Sequence, residues 1–251
     1  MHERNKPMIR AIPHLEQRSA EWFAVRQGRP TASDAKHIIT PARAALSAQR
    51  FDYMDALLAE LYIPEGHLDD ESELYTGRKF FGNRFTDHGN QFEAEAIEDF
   101  ESNTGLDVKA VGFVIAADGF FGFSPDGSSC TADEINTAGR MEWGLEVKCK
   151  CLKNHIKTIR ENRVPDEHLG QVHFSLAKSG ADVWFFHSYF PGVRSHTIEV
   201  RRDDYTKRAE DALGEFMAEY QAARARLVPM LNLDDEEEEE QPEEPEIEEI
   251  A

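Results

Sequence analysis

The feature of this sequence that most restricts its fold is a short apolar segment that carries two opposite charges. In residues 145–149, the apolar Leu145, Val147 and Cys149 alternate with Glu146 and Lys148. This alternation predicts a β-strand whose two charged side chains share one face. Charges on an apolar central strand are costly unless they are paired or functional. The segment therefore predicts a sheet with a polar site on one of its inner strands.

A second carboxylate, Asp126, precedes this strand by about twenty residues, in the turn motif Phe123-Ser-Pro-Asp126-Gly127. Beside Glu146, it would bring two carboxylates and the Lys148 ammonium together. Such oxygen ligands suit Mg²⁺, which proteins commonly hold with one or two carboxylates and a substrate phosphate. We expect Mg²⁺ here, with Mn²⁺ as a substitute, and a Lys148 that orients or deprotonates the attacking water. Taken singly, the two motifs are typical of a plain turn and of a cross-strand ion pair; their combination favours the metal site.

The remaining pattern predicts one α/β domain with a central mixed sheet flanked by helices. Helical spacing and end signals predict helices over residues 19–28, 51–62, 87–102, 152–163, 168–178 and 203–227, the last closed by Pro229. Short segments rich in Val, Phe and Ile predict strands over residues 108–115, 119–124, 145–149, 182–190 and 195–200. The polar, Gly-punctuated segment 64–84 is predicted to be a loop.

The charge of the chain is unevenly distributed. The formal net charge is −20, but residues 234–251 hold 12 acids and no bases, so the remainder has a net charge of only −8. We therefore predict a folded domain over residues 1–230 and a disordered acidic tail over residues 231–251. No apolar run approaches the roughly 18 residues of a membrane span, and the N-terminus has no apolar signal region. Together with three cysteines that form no disulfide framework, this predicts a cytoplasmic protein without a membrane partner.

Five short blocks follow one another in order from about residue 15 to about residue 200, namely Trp22…Arg26-x-Gly28…Thr31-Ala-Ser33, Gly89-Asn-Gln-Phe-Glu93, Ser124-Pro-Asp-Gly127, Leu145-Glu-Val-Lys-Cys149 and Gln171-Val-His-Phe-Ser175. In these blocks the sequence resembles the phage lambda exonuclease family, also called the YqaJ-type viral recombinases, within the PD-(D/E)xK nuclease superfamily. The resemblance implies a restriction-endonuclease-like core. It also implies a catalytic set and an overlapping set of metal ligands, namely Lys148, Glu146, Asp126 and Gln171 for catalysis, and Asp126, Glu146, Val147 and Glu93 for the metal. The alternative interpretation, which does not use the resemblance, is that Glu93 is an ordinary solvated acid on a helix and that Gln171 is an amide on a helix surface.

Two further groups of residues are expected to bind DNA. Arg26 at one predicted helix end faces Ser33 near the next helix start, an arrangement that suits an anion. The resemblance implies that this pair binds the 5′-phosphate of the digested strand; otherwise Ser33 or Thr31 is a simple N-cap and Arg26 a surface charge. The polar loop supplies Arg78, Lys79 and Arg84 for the DNA backbone.

The resemblance implies a Mg²⁺-dependent 5′→3′ exonuclease of double-stranded DNA with 5′-phosphate ends, which leaves 3′ single-stranded overhangs for phage-type homologous recombination. It further implies a homotrimer, a single-strand annealing recombinase as partner, and a phage or prophage protein in the cytoplasm of a bacterial host. One alternative is another PD-(D/E)xK nuclease, either an endonuclease or a Cas4-like enzyme, although three cysteines are one short of the Cas4 iron–sulfur set. Another is a non-catalytic acidic protein that mimics DNA or binds basic partners, which leaves Glu146 and Lys148 without a purpose.

Overall fold

The computed structural model describes residues 8–64, 72–77 and 84–232 of the chain. Its helices are α1 (Ala20–Arg26), α2 (Ala35–Ile38), α3 (Arg50–Glu60), α4 (Ser72–Thr76), α5 (Arg84–Thr104), α6 (Ala132–Ala138), α7 (Leu152–Glu161), α8 (Asp166–Ser179) and α9 (Asp204–Leu231). Its strands are β1 (Arg10–Ala11), β2 (Val114–Ile115), β3 (Gly122–Phe123), β4 (Gly127–Ser128), β5 (Trp143–Lys148), β6 (Val183–Ser188) and β7 (His196–Arg201).

A four-stranded mixed sheet with the order β4-β5-β6-β7 holds the predicted charged strand at an inner position. β5 and β6 run parallel, whereas β4 and β7 are antiparallel to their neighbours. The parallel pair is joined by α7 and α8, because parallel strands need a long crossover connection. A second, antiparallel sheet has the order β1-β2-β3. The predicted mixed α/β architecture is confirmed.

The two faces of β5 meet different surroundings. Its alternating apolar residues pack against Ala96 and Phe100 of α5. Glu146 lies on the opposite face beside Phe186 of β6, which belongs to the main core. α8 packs over this second face and contributes buried side chains to the same core. Glu146 therefore lies between the sheet and α8.

Several local predictions were wrong. The predicted loop contains the short helix α4, and α6 was not predicted although Thr131 and Glu134 form a capping box at its start. The segments 108–115 and 119–124 form only the two-residue strands β2 and β3. α9 continues through Pro229 to Leu231, because a proline in the last turn removes only one of the helix hydrogen bonds. Among the described residues, no helix is both long and apolar enough to cross a membrane.

Candidate active site

The charged pair on β5 forms the floor of the candidate site. The Lys148 ammonium contacts Oε1 of Glu146 directly, as their placement on one face predicts. Glu146 is 2% exposed, whereas Lys148 is partly exposed, so the pair runs from the protein interior to the surface. A buried carboxylate is stable only with such partners.

Asp126 is attached to the same strand by two backbone hydrogen bonds. Its amide donates to the carbonyl oxygen of Leu145 at 3.0 Å, and its carboxylate Oδ2 accepts from the amide of Val147 at 2.7 Å. Both contacts depend on the pairing of β4 with β5, since Asp126 lies immediately before β4 and three residues after the end of β3. The Asp126 carboxylate is thereby held beside β5 and close enough to Glu146 to feel its charge.

The electrostatics of the site follow from this crowding. Burial, followed by the charge of Glu146, raises the pKa of Asp126 to about 8, against the opposing effect of Lys148. For Lys148, burial by itself lowers the pKa, but the charges of Glu146 and Asp126 outweigh it and raise the pKa above its usual value. With both carboxylates ionised, the site would hold more negative charge than Lys148 neutralises, and the raised pKa of Asp126 follows from this excess together with burial.

Gln171 reaches the same carboxylate from α8. Its Nε2 donates to Oε1 of Glu146 at 2.7 Å, the atom that Lys148 also contacts. Its neighbours Val172 and Phe174 are fully buried and fix α8 against the sheet. The interpretation of Gln171 as a helix-surface amide is wrong, because its amide points into the site.

Glu93 lies on α5 at the edge of this cluster. Its Oε2 accepts from Nη2 of Arg18 at 3.2 Å, and the carboxylate is about one-third exposed. Its charge contributes to the raised pKa values of both Asp126 and Lys148, so it acts on the site electrostatically. In the described ranges, no three His, Cys, Asp or Glu side chains are grouped to hold a metal ion. The ligand role of Glu93 stays a prediction.

The donor set nevertheless fits a hard divalent cation. Asp126 and Glu146 offer carboxylate oxygens, and their mutual repulsion is the kind of strain that a cation relieves. Val147 donates its amide to Asp126, so a ligand role for this residue rests on its carbonyl oxygen and stays a prediction. Mg²⁺ or Mn²⁺ would be held by these oxygens.

The two residues predicted to bind the 5′-phosphate, Arg26 and Ser33, meet at the end of α1. Nη2 of Arg26 donates to Oγ of Ser33 at 3.1 Å and to Oγ1 of Thr31 at 3.2 Å, and the guanidinium stacks on Trp22 at 4.0 Å. Neither hydroxyl caps the short 3₁₀ turn Ala32–Asp34 or the helix α2 that follows it. Burial lowers the pKa of Arg26. The two hydroxyls therefore pair with Arg26 and do not cap a helix, and the phosphate-binding role stays a prediction.

The pocket and the carboxylates are tied together by contacts that the sequence did not reveal. Nε1 of Trp22 donates to Oγ of Ser124 at 2.9 Å, and Nε2 of Gln17 donates to the carbonyl of Pro125 at 3.0 Å. Ser124 and Pro125 directly precede Asp126. Gln17 and Arg18 were missed because nothing in their spacing marks them.

Two of the predicted DNA-binding residues, Arg78 and Lys79, lie outside the described residues. Arg84 is the first residue of α5, and its side chain is likewise outside the described part. The acidic residues 234–251 also lie outside it.

Comparison with known proteins adds a family and a fold. The YqaJ-like viral recombinase domain family matches residues 21–182. An alkaline exonuclease from Laribacter hongkongensis, also solved in complex with dAMP, is 24% identical with a TM-score of 0.59, over 84% of this chain and 100% of that chain. A phage-related exonuclease from Haemophilus somnus 129PT is 14% identical with a TM-score of 0.57, over 81% of this chain and 96% of that chain. No curated protein matches the chain.

Proposed function

This chain belongs to the YqaJ-like viral recombinase domain family, and we propose that it is a divalent-metal-dependent exonuclease that digests double-stranded DNA from 5′ ends and leaves 3′ overhangs. One observation carries the proposal. A buried carboxylate, Glu146, is contacted by both Lys148 and Gln171 beside a second carboxylate, Asp126. The two structural neighbours are exonucleases by name, which agrees with this chemistry.

Lys148 is suited to orient water and to stabilise negative charge. Without a bound cation, burial lowers the pKa of Lys148, but the charges of Glu146 and Asp126 outweigh burial and raise it, so in that state Lys148 donates hydrogen bonds. We propose that Lys148 orients or deprotonates the attacking water. A bound Mg²⁺ would supply an activated water and offset charge on the phosphate.

Gln171 is suited to position the groups around it. Its amide nitrogen is used by Glu146, and its amide oxygen remains an acceptor for a water proton. The contact also holds Glu146 against rotation away from Asp126. We assign Gln171 a positioning role for both the carboxylate and the attacking water.

The 5′ polarity rests on the pocket at the end of α1. Arg26 brings a planar guanidinium together with the hydroxyls of Thr31 and Ser33, which together offer donors to a terminal phosphate. Asp34 accepts from the Thr31 hydroxyl at 3.2 Å, so a bound phosphate would have to compete with this carboxylate.

The assembly is proposed from the family resemblance. We propose a homotrimer that encloses the duplex, a single-strand annealing recombinase as partner, and activity in the bacterial cytoplasm. We also keep the division into a nuclease domain over residues 1–230 and an acidic tail over residues 231–251. Arg78, Lys79 and Arg84 are proposed contacts to the DNA backbone.

The alternatives make different predictions. An endonuclease of the same superfamily would cut closed circular DNA, whereas an exonuclease requires an end. A Cas4-like enzyme is disfavoured because Cys149 is buried against α5 in the apolar cluster behind the sheet. Burial raises the pKa of Cys149 to about 12 and so disfavours the thiolate that a cluster needs. An acidic DNA mimic would show no activity that depends on metal.

The test is incubation of the full chain with linear duplex DNA carrying either 5′-phosphate or 5′-hydroxyl ends, with and without Mg²⁺. We expect mononucleotides from phosphorylated ends with Mg²⁺ and none without it. Asp126→Ala and Lys148→Ala should abolish the release, whereas Glu142→Ala, at an exposed position next to β5, should not. Cutting of closed circles, or degradation that survives both site substitutions, would overturn the proposal.

A further inference from the structure

Arg18 has an unusual backbone conformation next to the candidate active site. Its φ angle is +72°, in the left-handed region that residues other than glycine rarely adopt. Strained backbone of this kind persists only where the surroundings hold it, and it concentrates at functional sites. We therefore expect contacts around Arg18 that hold this conformation.

The residues on either side hold Arg18 in place. Nε2 of Gln17 donates to the carbonyls of Pro125 at 3.0 Å and Val111 at 3.4 Å. On the other side, Oγ of Ser19 accepts from the amide of Trp22 at 3.2 Å and caps α1. Since both neighbours are anchored, Arg18 is held against the segment that carries Asp126.

The side chain of Arg18 points at Glu93, but this contact uses only one of its two terminal nitrogens. Its Nη2 lies 3.2 Å from Oε2 of Glu93, and the arginine side chain is 52% exposed. Among the described residues, Glu93 is its one hydrogen-bonding partner. A guanidinium has five N–H donors, so Arg18 has donors to spare for a second ligand.

The formal charges of the site indicate that this second ligand of Arg18 is a phosphate. With Asp126, Glu146 and Glu93 ionised and Lys148 protonated, the site has a formal charge of −2, which one divalent cation brings to zero. A DNA phosphate then adds a negative charge that these groups do not match. Arg18 supplies the matching positive charge, and a guanidinium suits phosphate oxygens in geometry.

We propose that Arg18 is a substrate-binding residue that exchanges Glu93 for a backbone phosphate of the digested strand when Glu93 turns toward a bound divalent cation. This inference rests on the proposed nuclease function. α1 is about 10 Å long at 1.5 Å per residue, with Arg18 just before it and Arg26 at its far end. The two arginines thus place one phosphate contact near the cutting site and one at the 5′ end of the same strand.

The test compares Arg18→Gly, Arg18→Gln and Arg18→Lys. Glycine tolerates the left-handed conformation, so Arg18→Gly removes the guanidinium without strain and its Tm should not fall. The matched control is Arg201→Gln, which removes another exposed arginine paired with a glutamate, Glu199, on β7. The full-length variants are titrated by fluorescence anisotropy with 5′-phosphorylated duplex DNA carrying phosphorothioates at the terminal linkages.

With Mn²⁺ present, we expect Arg18→Gly and Arg18→Gln to bind the DNA about tenfold more weakly and to lower the salt slope by about one. Arg18→Lys should keep the slope, and the Arg201→Gln control should match wild type. In EDTA, where Arg18 stays with Glu93, wild type and variants should bind DNA equally.

Calorimetric titration with Mn²⁺ in the absence of DNA separates this role from simple positioning of Glu93. We expect the Mn²⁺ affinity of Arg18→Gly to equal or exceed that of wild type. A loss of about 10- to 100-fold in Mn²⁺ affinity with unchanged DNA affinity would overturn the proposal and make Arg18 a support for Glu93. DNA binding by Arg18→Gly equal to wild type, while wild type still digests DNA with Mg²⁺, would refute this inference alone; a wild type that digests no DNA would refute the proposed function.

Discussion

Gln171 on α8 donates its side-chain amide to the buried carboxylate of Glu146 on β5 at 2.7 Å, across 25 residues of sequence. The contact joins a helix to the charged face of the central sheet. Because Lys148 binds the same oxygen, Glu146 is held from two sides. The candidate site is therefore formed by residues of both the strand β5 and the helix α8 that packs on the sheet.

Replacement of Gln171 should slow catalysis more than it weakens DNA binding. Gln171→Ala removes one of the two groups that hold Glu146, so we expect kcat to fall about 10- to 100-fold with little change in KM. The measurement is steady-state digestion of phosphorylated linear duplex. Gln221→Ala, an exposed amide on α9, is the control. An unchanged kcat would mean that the contact is only structural.

Replacement of Arg26 should abolish the preference for phosphorylated ends. A hydrogen bond to a charged group contributes about 1.5–3 kcal/mol, so Arg26→Ala should slow digestion of 5′-phosphate ends by about 10- to 100-fold. Digestion of 5′-hydroxyl ends should change much less. Ser33→Ala should act in the same direction with a smaller effect, because it removes a single hydroxyl. Equal slowing of both kinds of end would contradict a role in phosphate binding.

The stability of the metal-free protein should fall as the pH rises. The pKa of Asp126 is about 8 in the folded protein, above its ordinary value of 3.8, because of burial and the charge of Glu146. The folded state therefore keeps a proton that the unfolded state releases, and this stabilisation is present below about pH 4 and lost as the pH rises toward about 8.

Asp126→Asn removes this titration and keeps an oxygen that can accept from Val147. We expect the Tm of wild type in EDTA to drop relative to that of Asp126→Asn between pH 5 and pH 9. Added Mg²⁺ should raise the wild-type Tm more at pH 8 than at pH 5. Parallel Tm curves for the two proteins would argue against a raised pKa at Asp126.

Deletion of residues 234–251 should strengthen non-specific DNA binding. The segment carries 12 negative charges and no positive ones, and its removal lowers electrostatic repulsion of the phosphate backbone. The measurement is the affinity for duplex DNA of unrelated sequence at low and moderate salt, where the gain should shrink as salt increases. Unchanged affinity at both salt concentrations would instead favour a role in recruiting a basic partner.

The sequence predicted well the alternation of side chains along the central strand. Alternation over five residues placed Glu146 and Lys148 on one face of β5, because successive side chains of a strand point to opposite sides. Short strands and helix ends were predicted less well. β4 is two residues long and α6 is a short helix, so neither has enough periodicity to stand out from a turn.

By itself, the sequence determined the mixed α/β class, the charged face of β5 and the ordered blocks of the family. Only the tertiary structure decided which distant residues meet at that face. Asp126 depends on the pairing of β4 with β5, Gln171 on the packing of α8, and Arg18 on an ion pair to a residue 75 positions away. The physical reason is the distance along the sequence between the residues involved. The side-chain period within one helix or strand follows from the geometry of that element, whereas contacts between elements depend on the register and packing of the whole chain.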